Sequence, residues 1–153
     1  MKITDDLSLD WRDWADLTAP LLYELLQFRQ AVFVVEQASP YPDLDGRDAR
    51  ARHLLLRRGS ELIGCLRLIE PAPLVRIGRV AVGAGARGRG FARMMLEAAL
   101  QRAAEIYPHR DVAVSAQTYL EPFYQSLGFV TVSAAYDDYG VPHIDMTGPA
   151  RGI

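Results

Sequence analysis

The chain has 153 residues, half of them hydrophobic, which is enough for one real core and suggests a single domain over 1–153. Lys and Arg total 17 against 19 Asp and Glu, a formal charge of −2, so no strong basic field argues for nucleic acid or an anionic membrane surface. A lone cysteine, Cys65, rules out an internal disulfide and a thiolate metal site, and no apolar run reaches the ~18 residues of a membrane span; a reducing, cytoplasmic setting without a metal is expected.

In chain order, a short strand is expected at 9–14, with 1–6 and 148–153 as frayed ends. Thr18 offers a hydroxyl cap and Pro20 suits the first turn of a helix over 19–34, along which Leu22, Leu25, Leu26, Arg29, Val32 and Phe33 recur at helical spacing. Residues 36–50 carry prolines, glycine and several acids and are expected as a loop or broken helix. Strands at 53–58 and 61–69 flank Gly59-Ser60, the chemistry of a hairpin turn, and a further strand follows at 74–82 after Pro71 and Pro73. A long helix over 88–107, a strand at 111–116, a short helix over 120–127 stopped by Gly128, and strands at 129–135 and 141–147 complete the order. This is an α/β (α+β) pattern, a mixed sheet with helices on both faces.

The segment Arg87-Gly88-Arg89-Gly90-Phe91-Ala92 lies between a strand and the longest helix. A helix start has N–H groups without intrahelical partners and the positive end of the helix dipole, and glycines let a phosphate approach that backbone. Arg87 and Arg89 add positive charge beside it. Such a run in isolation reads as a solvated turn, and its position between strand and helix is what makes it an anion trap.

Together with Val80-Ala81-Val82 before it and Phe123-Tyr124-x-x-Leu127-Gly128-Phe129 after it, this run resembles the GNAT superfamily of acyl-CoA-dependent N-acyltransferases. Further residues, among them Val32 to Gln37, Tyr41, Asp45-Gly46-x-Asp48, His53, Ile77 to Val80, Ala116-Gln117 and Pro142-His143-Ile144-x-Met146, resemble its ElaA-like branch. The resemblance implies a mostly antiparallel central sheet of six to seven strands and acetyl-CoA as co-substrate. It gives the backbone of Val80, Ala81 and Val82 to the pantetheine arm, the amides of Arg87, Gly88, Arg89, Gly90, Phe91 and Ala92 to the pyrophosphate, and the role of general acid to Tyr124. It puts Gln117 where an asparagine is common beside the cofactor. The implied reaction is direct attack of an amine on a thioester in a ternary complex, in which alignment supplies much of the rate.

The general base is open. The strand before the loop carries Arg76 and Arg79 where the superfamily often has a glutamate, which leaves Glu36, His53 and His143 as candidates. Alternation over 141–147 puts His143 and Asp145 opposite Ile144 and Met146. Asp43, Asp45, Asp48, Asp137 and Asp138 are expected as a solvated surface, alternatively one that draws a cationic amine. Tyr124 also reads as a core aromatic, and Cys65 as a small buried residue.

Rival readings remain. Gly83-Ala84-Gly85-Ala86-Arg87-Gly88 spells a dinucleotide fingerprint, but no acid ends the next strand and too little chain follows for a doubly wound domain. An acyl-homoserine-lactone-synthase-like enzyme stays open through Asp45-Gly46-Arg47-Asp48, as does a non-catalytic acyl-CoA-binding domain. The expected partners are acetyl-CoA and an amine acceptor, without nucleic acid or membrane, and a homodimer is left open.

Overall fold

The computed structural model describes residues 6–70 and 74–148. The expectations for 1–5, for Pro71 and Pro73, and for 149–153 lie outside the described residues. Eight strands form one sheet: β1 (Leu7–Asp13), β2 (Ala51–Arg58), β3 (Glu61–Ile69), β4 (Val75–Val82), β5 (Val112–Gln117), β6 (Val130–Thr131), β7 (Tyr136–Asp138) and β8 (Val141–Gly148). Their order is β1-β2-β3-β4-β5-β8-β6, with β7 also paired to β8. Only β4 and β5 run parallel; every other pair is antiparallel. The expected six to seven strands become eight because the run over 129–135 keeps just two ladder residues and the three-residue β7 forms beyond it. Asp6 and Gly148, expected as frayed, are both paired, Asp6 accepting from the Gly59 amide and Gly148 lying opposite Val112.

Helix α1 (Ala19–Gln30) is capped as expected, the Thr18 hydroxyl accepting from the Leu21 amide at 3.3 Å. It stops short of the expected residue 34, and the chain rewinds into π-helical turns over Ala31–Glu36. Helix α2 (Phe91–Ile106) buries Phe91, Met95, Leu96, Ala99, Leu100, Ala103 and Ala104, a stripe at three- and four-residue spacing. This stripe meets Leu54 and Leu56 of β2, Leu66 and Leu68 of β3, and Val75 and Ile77 of β4. Gly64 permits the close approach, since a Cβ there would stand 3.0 Å from Met95 Cε. On the opposite face Leu25 of α1 packs with Cys65 and Ala81, joined by Phe28, Val32 and Phe33. Helices thus cover both faces of the sheet, and the 3-10 turn Thr118–Leu120 leads into the short α3 (Glu121–Gln125) at the end of β5.

Two irregularities in β4 open the sheet. Cys65 faces Ala81 while Arg67 faces Gly78, so β4 carries one extra residue in this stretch, where Arg79 takes φ +48. Beyond the bulge β4 leaves β5: the two pair only at Val75 with Val112 and Arg76 with Ala113. The strands then diverge into a cleft. A mostly antiparallel sheet is incompatible with the doubly wound dinucleotide fold, so the fingerprint over Gly83 to Gly88 marks a 3-10 turn (Ala84–Ala86) and the approach to α2.

Candidate active site

At the mouth of the cleft the chain passes from β4 through Arg87 to Gly90 into α2. Gly88 and Gly90 have φ +76 and +79, a backbone region that costs other residues roughly 1–2 kcal/mol. Gly90 is the helix N-cap; no side chain caps it and no acid stands in the first turn, so the amides of Phe91, Ala92 and Arg93 lack intrahelical acceptors. A cavity of about 410 Å³ lies against this turn, lined by Val80, Val82, Arg87, Gly88, Gly90, Phe91 and Ala92 with Leu120, Phe123 and Tyr124. Of the residues expected around a cofactor, Ala81 points away, buried beneath α1, and Arg89 is exposed outside the cavity. A diphosphate fits what is present: open amides, two glycines in the left-handed region and no opposing carboxylate in the first turn.

A second cavity of about 250 Å³ lies under the bulge of β4. Its walls include Phe33, Tyr41, Arg67, Arg76, Arg79, Ser115, Gln117, Tyr139 and His143. Val80, Leu120 and Tyr124 line both cavities, so the two meet across the cleft. Gln117 belongs to this second cavity and not to the one against the loop, because β5 ends there opposite His143.

Tyr124 stands at the junction. It is 6% exposed, its ring set edge-on to Phe123 and Phe129 with centroids 5.3 and 5.7 Å away. Burial pushes its phenol up to about 12, which keeps the proton on the oxygen at neutral pH. The ring packs in the core as one expectation had it, while the residue also borders the cleft.

His143 borders the second cavity from β8, on the face away from the buried Ile144 and Met146, as alternation predicts. Its Nδ1 lies 2.8 Å from the Val141 carbonyl. A carbonyl only accepts, so Nδ1 carries a proton, and in the neutral ring Nε2 holds the lone pair. Nε2 is 3.9 Å from Asp138, and the ring stacks on Tyr136 at 6.2 Å.

The other two candidate bases are engaged. Glu36, expected as a base, does not line the second cavity; at the end of the π-helical turns it forms a fork with Arg87, whose Nη2 donates to Oε1 at 2.7 Å. That hydrogen bond lowers the Glu36 pKa and favours the ionised form. Arg87 meanwhile donates from Nε to the Val82 carbonyl at 2.9 Å. His53 is 1% exposed on β2 with Nε2 2.9 Å from the Asp48 carbonyl, and desolvation lowers its pKa.

Three of the five acids expected as a solvated surface, Asp43, Asp45 and Asp48, are instead tied into ion pairs. Asp43 and Asp48 are buried, and with Asp45 they alternate with three arginines in a closed ring. Arg29 meets Asp43 at 3.1 Å and Asp48 at 2.7 Å; Arg67 meets Asp48 at 3.0 Å and also Asp45; Arg79 meets Asp45 at 3.2 Å and Asp43 at 2.9 Å. Each charge touches two of opposite sign, so the ring is formally neutral while fastening the loop after α1 onto β3 and β4. Arg79 also donates to the Tyr41 hydroxyl at 2.7 Å and covers its ring at 5.0 Å. A signal for part of this was in the sequence: Arg29 falls in the apolar stripe of α1 and Arg67 in an apolar strand, and a cation in either place demands an anion. Asp137 stays exposed as expected, and Cys65 is buried with its thiol pushed up to about 12 by desolvation. Among the described residues no cluster of three metal-ligating side chains occurs and no helix is long and apolar enough to cross a membrane.

Comparison with known proteins points the same way. Residues 23–148 match the family model described as an acetyltransferase (GNAT) domain. Protein ElaA of Escherichia coli is 38% identical over 146 residues, covering 90% of this chain and 95% of that protein. A UPF0039 protein of Mycobacterium tuberculosis is 44% identical over 149 residues, 92% of this chain and 93% of the relative. The crystal structure of E. coli ElaA superposes with a TM-score of 0.88, covering 93% of this chain and 99% of that one. An acyl-CoA N-acyltransferase from Pseudomonas aeruginosa, 39% identical, superposes with the same score and coverage. The homoserine-lactone synthase LasI, at 17% identity and a TM-score of 0.75, shares the fold alone.

Proposed function

Because the chain belongs to the GNAT acetyltransferase family, in its ElaA-like branch, and is thereby an acyl-CoA-dependent transferase, we propose that it moves an acetyl group from acetyl-CoA to a primary amine of a small molecule or peptide. The observation that carries this reading is the meeting of the two cavities at Tyr124, one against an uncapped helix start and one lined by His143. Acetyl-CoA supplies the activated thioester; the remaining work is alignment and proton traffic by the chain's own residues.

In this reading the first cavity receives the coenzyme, with the diphosphate on the amides between Arg87 and Ala92. Arg87 would exchange its Glu36 partner for phosphate oxygens, and Arg89 adds charge from outside. The exposed edge of β4 at Val80 and Val82 supplies backbone partners for the pantetheine arm, where the strand has left β5. His143 Nε2 takes the proton of the incoming ammonium, directly or through a water, and the charge so formed sits near Asp138. The Tyr124 hydroxyl donates to the departing sulfur, and Gln117 borders the acceptor rather than the diphosphate. Attack is direct, with no covalent enzyme intermediate.

The lactone-synthase alternative loses support, since Asp45 and Asp48 are already paired with Arg67 and Arg29. The test is release of free thiol from acetyl-CoA against a panel of amines, followed by Tyr124→Phe. Loss of the donor is expected to lower kcat by roughly 10- to 100-fold with little change in the KM for acetyl-CoA; a thiol of pKa about 8.5 is a good leaving group, so the effect falls at or below the lower end of the general-acid range. An unchanged kcat removes Tyr124 from the chemistry, and binding of acetyl-CoA without turnover of any amine favours the non-catalytic alternative.

A further inference from the structure

We infer that the acceptor is an elongated molecule with an amine at one end and a carboxylate at the other, the carboxylate being read by Arg76 at the closed end of the cleft; this rests on the acetyl-transfer reading above. The charge pattern of the second cavity leads there. Three of the acids that might have drawn a cationic acceptor, Asp43, Asp45 and Asp48, are consumed one for one by Arg29, Arg67 and Arg79. Outside that neutral ring the wall carries Arg76 and Arg47 against a single acid, Asp138, which already faces His143. Neither Arg76 nor Arg47 has an ion-pair partner among the described residues.

A second, independent observation is a buried donor. Arg67 is 4% exposed and lines the cavity, yet its Nε has no acceptor among the described residues. Opposite it on β4 stands Gly78, which puts no side chain on that nitrogen; even an added Cβ would lie 4.0 Å away. A buried N–H left unpaired costs free energy that an anionic ligand oxygen would recover. A guanidinium on one side and a buried N–H on the other suit a planar carboxylate, which accepts at both oxygens. A polyamine, by contrast, would set its second ammonium against Arg76.

The register gives the length. Arg76 lies opposite Ala113 on β5, and His143 lies opposite Gln117 at the other end of that strand. Four residues along a strand span about 13 Å, from which the reach of the arginine side chain is subtracted. Tyr124 borders the cleft at the His143 end, so the amine belongs there and the carboxylate toward Arg76.

The experiment compares γ-aminobutyrate, ε-aminocaproate and ω-aminocaprylate with their methyl esters, in wild type and Arg76→Gln. In wild type at least one acid is expected to exceed its ester in kcat/KM by roughly 10-fold or more, the size of one charge-assisted pair. Arg76→Gln should collapse that ratio toward one through KM. The same comparison is made by calorimetry on the CoA-loaded protein, where the acid should bind more tightly than the ester in wild type only. Acids and esters treated alike in both assays, or a preference that survives Arg76→Gln, overturns the inference while turnover of the esters leaves acetyl transfer standing. If CoA binds and nothing is acetylated, acetyl transfer fails and the calorimetric ratio alone decides the carboxylate site.

Discussion

Opening the charge ring at Asp48 should cost the fold a sum that can be worked out beforehand. Asp48 is 8% exposed and accepts from Arg29 Nη1 at 2.7 Å and from Arg67 Nη1 at 3.0 Å. Asp48→Asn keeps the shape but leaves two buried guanidiniums with one carboxylate fewer. Breaking a buried pair costs about 3–5 kcal/mol, and since both arginines retain another aspartate the low end, about 3 kcal/mol, is expected. For a chain of this size that corresponds to a fall in Tm of roughly 10 °C. Arg29→Met alone should cost a similar amount, whereas the double variant restores neutrality and should fall short of the sum by about 1–2 kcal/mol. Urea unfolding of the four proteins, with unchanged m-values, measures this. The pH dependence adds a second reading: burial alone would raise the Asp48 pKa, but the hydrogen bonds and charges of Arg29 and Arg67 overcome it and lower the value. A carboxyl whose folded pKa is depressed contributes stability that is full above its unfolded value, about 4, and is lost as pH falls through the folded value. Asp48→Asn should therefore flatten the loss of stability below about pH 4. A cost under about 1 kcal/mol, or strict additivity in the double variant, would refute the ring as a coupled unit.

Other substitutions probe the cleft itself. Gly90→Trp puts an indole at an N-cap with φ +79, facing the cavity where the diphosphate is expected; CoA binding by calorimetry should vanish while circular dichroism shows a folded protein, and wild-type affinity would remove the loop from the account. Glu36→Gln should release Arg87 and tighten CoA binding a few-fold while the acidic limb of the kcat/KM profile persists. His143→Ala should abolish that limb, and the opposite pattern in the two variants would make Glu36 the base.

Local chemistry accounts for the parts that were legible in advance. Gly59-Ser60 fixed the β2–β3 hairpin, Thr18 and Pro20 the start of α1, and strict alternation the facing of His143 and Ile144, because each depends on neighbours a few residues away. The run into α2 was visible for the same reason. What escaped depends on contacts between distant segments. The π-helical rewinding at Ala31 leaves apolar spacing nearly unchanged, so the stripe ran on past the true end of the α-helix. The bulge at Arg79 exists only relative to β3. Strand β7, mostly exposed, is held by β8 and by the Tyr136 hydroxyl donating to Asp145 at 2.7 Å, which no propensity reports. The acids of the loop after α1 looked like solvated surface since their partners lie on α1, β3 and β4. Glu36 could be named from the sequence, but the arginine that occupies it lies 51 residues further along the chain.

A crystal structure of the protein with bound coenzyme A tests the central claim most directly. The account predicts the diphosphate within hydrogen-bonding distance of main-chain amides between Arg87 and Ala92, Glu36 displaced from Arg87, and the thiol beside the Tyr124 hydroxyl. Coenzyme density elsewhere on the molecule, or a thiol remote from Tyr124, would contradict it.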